Sequence, residues 1–580
     1  MKKNIRITNV LLWSVFFWAN SLSLTSFAQQ ATGERVYQVF ATHCSNGACH
    51  SNATAAGGLD LQGGGTVPAV EAYNNIYNIA VSNPVSLAKN NRLIYPGDPY
   101  RSLIFRYINN GLAGDVHLDA GEDPENIHQQ LSVPDIDKEF IRQWVLYGAP
   151  ATGQVINPAM LEEFYGGSGV WAIDPQNPPP APAAGEGFQI HVGPIFQPAW
   201  TGSQQPDVEY MSKYETLIPN ALEVNRVQTI MGSSHHFILY RFTDDNTANN
   251  MPYGFRPVSF TGVTMVAGYQ QSGTDALPQG TAFRWGANTI LNLNTHVTNY
   301  SSTAIVACEA YINIYTQPNG TAAQEMKTQL LPNFSINIPG DGQEHSFETP
   351  LFIPFWQTPI HLWKISSHTH SHATDYDIWL RNANGSAGTQ IYDASHYSGM
   401  PECEYTGYDY QHPPQRIFGP FLQVNPSVGF IHRASYWNCG GCPTITWGES
   451  VNDEMMLFGI FYVENTSGVV MPEPSVCEDI VGIEHSTGNN SVAGIQMRVV
   501  PNPVKQSAML LLQAAENSLI DLQIYDMQGK LQKSIDAISL QNIGENSITI
   551  DRDNLPSGLY SVVATDRKQG QKAVTRLVFE

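Results

Sequence analysis

The spacing of apolar positions changes several times along the chain. A short apolar run from Val10 to Trp18 follows Lys2, Lys3 and Arg6 and leads into small residues ending at Ser26-Phe27-Ala28. This is the pattern of a secretory signal over residues 1–28, cleaved after Ala28, with an apolar run too short for a membrane anchor. Residues 33–150 carry helical patterns, a short helix over Arg35–His43 and an amphipathic one over Lys138–Tyr147, among Gly-rich loops. Residues 151–186 read as a Pro-rich linker, with Pro178-Pro179-Pro180 and Pro182 near its end. From 187 to 475 the pattern turns to strands: His236–Phe242 and Ala304–Tyr315 alternate, and Leu457–Val463 is continuously apolar. The turn-rich stretch Pro332–Gly342 divides this region into 187–335 and 336–475. A polar spacer, 476–494, precedes a last small β module over 495–580.

Length and composition fit that division. A chain of 580 residues is too long for one core. Hydrophobic residues are 42% and charged residues only 14%, with Gly 48 and Pro 37, which favours β-rich modules joined by many turns. A formal charge of -22 excludes a nucleic-acid partner, which would require basic patches. No later stretch is long and apolar enough to cross a bilayer, so no transmembrane segment is expected in the mature chain. Outside the cytoplasm disulfides persist, and seven Cys leave at least one free or differently bonded.

The first candidate chemistry is Cys44-Ser-Asn-Gly-Ala-Cys49-His50. Two thiols followed directly by His is a haem-attachment arrangement: Cys44 and Cys49 form thioethers and His50 ligates iron. Four residues separate the thiols where two are usual, and a local Cys44–Cys49 disulfide is the alternative. With Pro96-Gly97-Asp98-Pro99 and Gly148-Ala149-Pro150, about 115 residues resemble the cytochrome c domains of multi-domain exported bacterial proteins, which implies one covalently bound haem c. No Met lies between the signal and Met160, so a second His is the natural sixth ligand, and two imidazoles lower the reduction potential relative to His/Met. The loop before the last helix offers His117 and His128, of which His117 is preferred. His43 is poorly placed, and a five-coordinate iron stays open.

The β region carries a second constellation. His235-His236 opens an apolar strand, and both can serve one metal only if the strand is irregular or the rings turn differently. His296 ends another strand. His368-Thr369-His370 has the i, i+2 spacing that puts two imidazoles on one face. Asp453-Glu454-Met455-Met456 precedes Leu457–Val463, and a thioether suits Cu(I). In this order the segments resemble the copper type II, ascorbate-dependent monooxygenases over about 285 residues. The resemblance implies two β-sandwich domains facing across a solvent-filled cleft, and two copper ions. His235, His236 and His296 would hold the first and receive electrons; His368, His370 and Met455 would hold the second, where O2 is activated. The Cys usual after the ligand Met is Met456 here. Ser366, Leu457, Gly459 and Phe461 offer no cation or phenol for a substrate carboxylate, so peptide amidation is not expected. Cys439-Gly-Gly-Cys442 forms a short disulfide, or either Cys pairs with Cys403. Cys308 is read as a core residue, and His372 as a group behind the ligands.

Val499-Val-Pro-Asn-Pro503, Ile524-Tyr-Asp-Met-Gln-Gly-Lys530 and Leu555-Pro-Ser-Gly-Leu-Tyr560 read as a small β-sandwich. They resemble the C-terminal sorting domain of the type IX secretion system of Bacteroidetes, which implies the secretion machinery as a partner and a secreted or cell-surface location. The expected fold is therefore multi-domain and mainly β: a small α-helical cytochrome c-like domain, two β-sandwich copper domains and a C-terminal small β-sandwich. The expected activity is copper-dependent hydroxylation of a C–H bond of a small organic substrate with O2, an external electron donor and the haem domain as relay. A non-catalytic copper-binding or electron-transfer protein is the alternative, and a surface binding module with unmetallated His a third.

Overall fold

The computed structural model describes residues 32–472 and 496–579, apart from internal stretches of which the longest are 202–206, 352–358 and 395–407. The signal segment, the 476–494 spacer, Cys403 and Cys477 lie outside the described residues. Among the described residues, no helix is long and apolar enough to cross a membrane.

The protein is mainly β in several domains. The first module is the exception, built on helices Thr32–His43, Pro68–Ile76, Pro84–Ala88, Leu103–Ile108 and Asp135–Leu146. Asn83 starts one of them by accepting the Val85 and Ser86 amides on its side chain. Phe40, Ile94, Phe105, Ile141 and Trp144 close its core.

Two sandwiches follow. In the first, a seven-stranded sheet faces a four-stranded one whose order is Asp207–Glu215, Ile290–Thr298, Ser234–Phe242, Val263–Tyr269. The segment expected to be a plain linker contributes to it: Gly169–Trp171 pairs in parallel with the start of Ile305–Pro318. That long strand does not alternate as expected but is buried on both faces over Ile305–Ile314. The reason is the helical module on its outer side, where Tyr100, His191 and Tyr311 stack at centroid distances of 4.2 and 4.0 Å. Contact there is close enough to demand glycine. Gly97, Gly148 and Gly254 all have φ near +80° to +90°, and a Cβ on Gly254 would collide with the Gly148 nitrogen.

The second sandwich pairs Lys327–Pro332, Leu457–Val463, Ile360–His368 and Gln415–Val424, in that order, against Glu344–Leu351, Phe430–Trp437, Ala373–Arg381 and Ala387–Asp393. Because Lys327–Pro332 already pairs with Leu457–Val463, this sandwich begins before the turn-rich 336 boundary. Trp363, Phe421, Phe461 and Val463 of the second sandwich pack in one core with Val266, Phe283 and Leu293 of the first. The sandwiches therefore meet in a shared, largely apolar core. Cys439 and Cys442 form a disulfide, and Cys308 is a buried free thiol. The C-terminal module is a separate three- and four-stranded sandwich with its own core around Leu510, Ile524, Val562 and Phe579.

Candidate metal centre

Three neighbouring strands of the first sandwich bring Glu209, His296 and His236 into one row, each the cross-strand partner of the next. Their ligand atoms lie within 4.8 Å of one another. His236 Nε2 is 3.1 Å from Glu209 Oε1 and 3.0 Å from Asn294 Oδ1, and Asn294 Nδ2 donates to Glu209 at 2.8 Å. His296 pairs with Asp207. The strand is irregular where the His-His pair requires it: the register slips between Ser234 and His236, so His235 is the extra residue of a bulge. The His235 side chain is outside the described residues.

The second sandwich brings two further imidazoles to the same place. His368 closes its strand opposite Leu457, and His370 lies past the strand end rather than on its face. Their ring centroids are 5.6 Å apart, and His368 is 5.2 Å from His236. His370 Nδ1 bonds the Asp453 carbonyl at 2.9 Å. The outer nitrogen of His370, Nε2, and Nδ1 of His368 are buried with no hydrogen-bond partner. Burial holds His236, His368 and His370 below the ordinary imidazole range, His368 furthest, where neighbouring imidazoles add to the effect. These rings are neutral at pH 7, the form that ligates metals. Burial also pulls on His296, but Asp207 and Glu209 outweigh it and hold that ring above its usual value.

Glu454 ties the two ligand-bearing segments together. Its carboxylate accepts the His370 amide at 2.9 Å, the His372 amide at 2.7 Å and the Met455 amide at 3.2 Å. Met456 lies in the core of the second sandwich. Met455 is as deeply buried but belongs to neither sandwich core, and its carbonyl takes the Tyr436 hydroxyl at 2.7 Å. Four of the six expected ligands thus have described side chains in one cluster. The difference from expectation is the cleft: His236, His296, His368 and His370 are at most 8% exposed, and the two sets adjoin where the sandwiches meet. Sequence reading passed over Glu209, Asp207 and Asn294. The Asp-x-Glu spacing on a strand was the available signal, since i and i+2 share a face.

In the helical module, Cys44 and Cys49 are both free thiols and are not joined. Burial pushes the Cys44 thiol up to about 11. His50 donates Nδ1–H to the Leu59 carbonyl at 3.1 Å, which leaves Nε2 for a ligand. His117 is exposed, and its carbonyl accepts Arg106 at 2.6 Å. The imidazole beside His50 is that of His128. The module also touches the strand that carries Glu209: Tyr147 at its last helix hydrogen-bonds Tyr210 at 3.3 Å, on the face of the strand opposite Glu209.

Residues 498–580 match the family description of a secretion system C-terminal sorting domain. No curated protein matches the chain. Solved structures that it is similar to include a Faecalibacterium prausnitzii β-glucuronidase, 10% identical over 41% of this chain and 36% of that one, TM-score 0.12. A Dictyoglomus thermophilum β-D-glucuronidase is 9% identical over 46% of this chain and 40% of that one, TM-score 0.12. Bacteroides uniformis β-glucuronidase 3 is 12% identical over 42% and 28%, TM-score 0.12. The chain spans well under half the length of each, and overlaps of this kind carry no functional argument. The sorting domain assigns the protein to type IX secretion, to the cell surface or the medium.

Proposed function

We propose that this exported protein is a copper-dependent monooxygenase that hydroxylates a C–H bond of a small organic substrate, with the helical module as a cytochrome c-like electron relay. The observation that carries this reading is the pair of buried, unpartnered nitrogens, His368 Nδ1 and His370 Nε2, beside His236. A buried polar atom without a partner costs about 1–3 kcal/mol, a cost that a bound metal ion removes. The donor set fits copper: neutral imidazoles for either oxidation state and the Met455 thioether for Cu(I).

His235, His236 and His296 would hold the first ion, and His368, His370 and Met455 the second. Copper there would supply the redox chemistry by which R–H, O2, two electrons and two protons become R–OH and water. The chain's own contribution is positional. Glu454 fixes the His370 and Met455 backbones, the Asp453 carbonyl fixes the His370 ring, and Asp207 and Asn294 orient His296 and His236. The apolar seam keeps bulk water from the cluster. Electrons would come from an external donor, and the Tyr147–Tyr210 contact joins the helical module to the strand that carries Glu209.

One observation favours a second reading. Glu209, His236 and His296 are also a two-imidazole, one-carboxylate set, which suits zinc or non-haem iron, and a metal held there without turnover would make this a binding or electron-transfer protein. The deciding experiment is metal analysis of the mature protein reconstituted with each ion, followed by O2 consumption with ascorbate. Two coppers per chain and reductant-dependent O2 uptake support the monooxygenase. One zinc or iron, and no uptake, supports the second reading.

A further inference from the structure

We infer that His128, not His117, is the second axial ligand of a haem carried on Cys44, Cys49 and His50. The inference rests on the haem reading of that motif and adds to it the sixth ligand, and with it the iron's spin state and potential.

The His50 and His128 ring centroids are 6.1 Å apart and their planes differ by 13°. Two imidazoles on opposite sides of one ion, each bound at about 2 Å, place their ring centres roughly 6 Å apart. Both rings are already committed to the same orientation. His50 Nδ1 is held by the Leu59 carbonyl at 3.1 Å, and His128 Nδ1 by Asp123 Oδ1 at 3.1 Å. A partner on Nδ1 of this kind fixes the tautomer and raises ligand basicity, and leaves Nε2 as the nitrogen that would meet iron.

His128 is also held in place from several sides. Asp123 takes the His128 amide on its second oxygen at 3.0 Å. Tyr107 stacks on the imidazole with centroids 4.1 Å apart and planes 2° apart. Tyr107 donates in turn to the Glu122 carbonyl at 2.8 Å, and Gln129 donates to the Tyr107 carbonyl at 3.1 Å. The buried Glu122 carboxylate anchors the loop by accepting Ser86 Oγ at 2.6 Å and Arg106 at 2.6 Å. None of these contacts serves His117, whose side chain is exposed.

The test uses the full-length protein produced with a haem-attachment system. Haem staining after denaturation reports the covalent link, and ferric EPR with ferrous CO binding reports the sixth ligand. The wild type is expected to be low-spin and slow to bind CO. His128→Gly should keep the covalent haem, lose the low-spin signal and regain it with added imidazole. His128→Met should stay low-spin at a raised potential, and His117→Gly should match the wild type. A His128→Gly protein that remains low-spin, or a His117→Gly protein that turns high-spin, overturns the ligand assignment alone. No covalent haem on the wild type overturns the haem reading and the assignment with it.

Discussion

His236 and His368 belong to different sandwiches, yet their imidazole centroids stand 5.2 Å apart. A metal at either ring lies within reach of groups from both domains, so ligand loss on one side should be felt on the other.

Replacing His368 by Ala is expected to remove one of two coppers per chain and to weaken the remaining site, read as copper content and as the EPR signal of the first set. His372→Ala is the contrast. Among the described residues that ring bonds the Trp437 carbonyl at 3.1 Å, and the contact with Glu454 is through the His372 backbone amide. Copper content there should stay at the wild-type value.

Glu454→Gln turns one of two acceptor oxygens into a donor facing backbone N–H groups of His370, His372 or Met455. The expected cost is about 1–3 kcal/mol of stability, with weaker binding at the second ion and little change at the first. Denaturant titration and competitive chelation read the two effects separately.

His191 links the helical module to the first sandwich, with Asp115 at 2.7 Å and Glu309 at 3.5 Å. Burial alone would pull its imidazole down, but the two carboxylates outweigh it and push it up to about 9. A folded-state value above the unfolded one stabilises fully below pH 6.5, and the contribution disappears as pH rises through 9. His191→Gln should cost roughly 3–5 kcal/mol at neutral pH, and the gap to wild type should close by pH 10.

His432 gives the opposite slope. Burial drives this imidazole down to about 3, and its Nδ1 meets the Tyr376 hydroxyl at 2.7 Å. A depressed value means that the unfolded chain binds the extra proton first, so stability falls as pH drops from 6.5 toward 3. In His432→Phe, unfolding midpoints at pH 7 and pH 4.5 should lie closer together than in the wild type.

Ending the chain at residue 475 removes the sorting domain while leaving the other cores intact, since Leu510, Ile524 and Val562 pack only among themselves and their neighbours. The shortened protein should bind metal as before and accumulate inside the outer membrane, as cell fractionation would show.

Much of this was legible in the chain. The strand after His236 and the helix over Lys138–Tyr147 follow from periodicity, and the strand at Leu457 from its continuous apolar run, whereas the strand through Cys308 formed without the alternation expected of it. The His order located the cluster because each motif sits at a strand end. Glu209 was missed although Asp207-Val-Glu209 has strand spacing, because the register that sets it beside His296 cannot be read from either strand alone. The choice between His117 and His128 was open for a related reason: proximity to His50 depends on how the loop around Glu122 folds back, and no local rule fixes that. The shared seam was equally invisible, because nothing local shows that apolar residues such as Trp363 and Phe461 serve the cores of both sandwiches.

That shared core has a mechanical consequence. Swinging the sandwiches apart would expose Trp363, Phe461 and Val463 together, at about 2–3 kcal/mol for each large side chain. Hinge opening would therefore be too costly to recur in each cycle of the proposed reaction. On the proposed function, a substrate would have to reach the imidazoles without parting that core, so the size of the opening at its edge, more than the chemistry inside, would set which molecules enter.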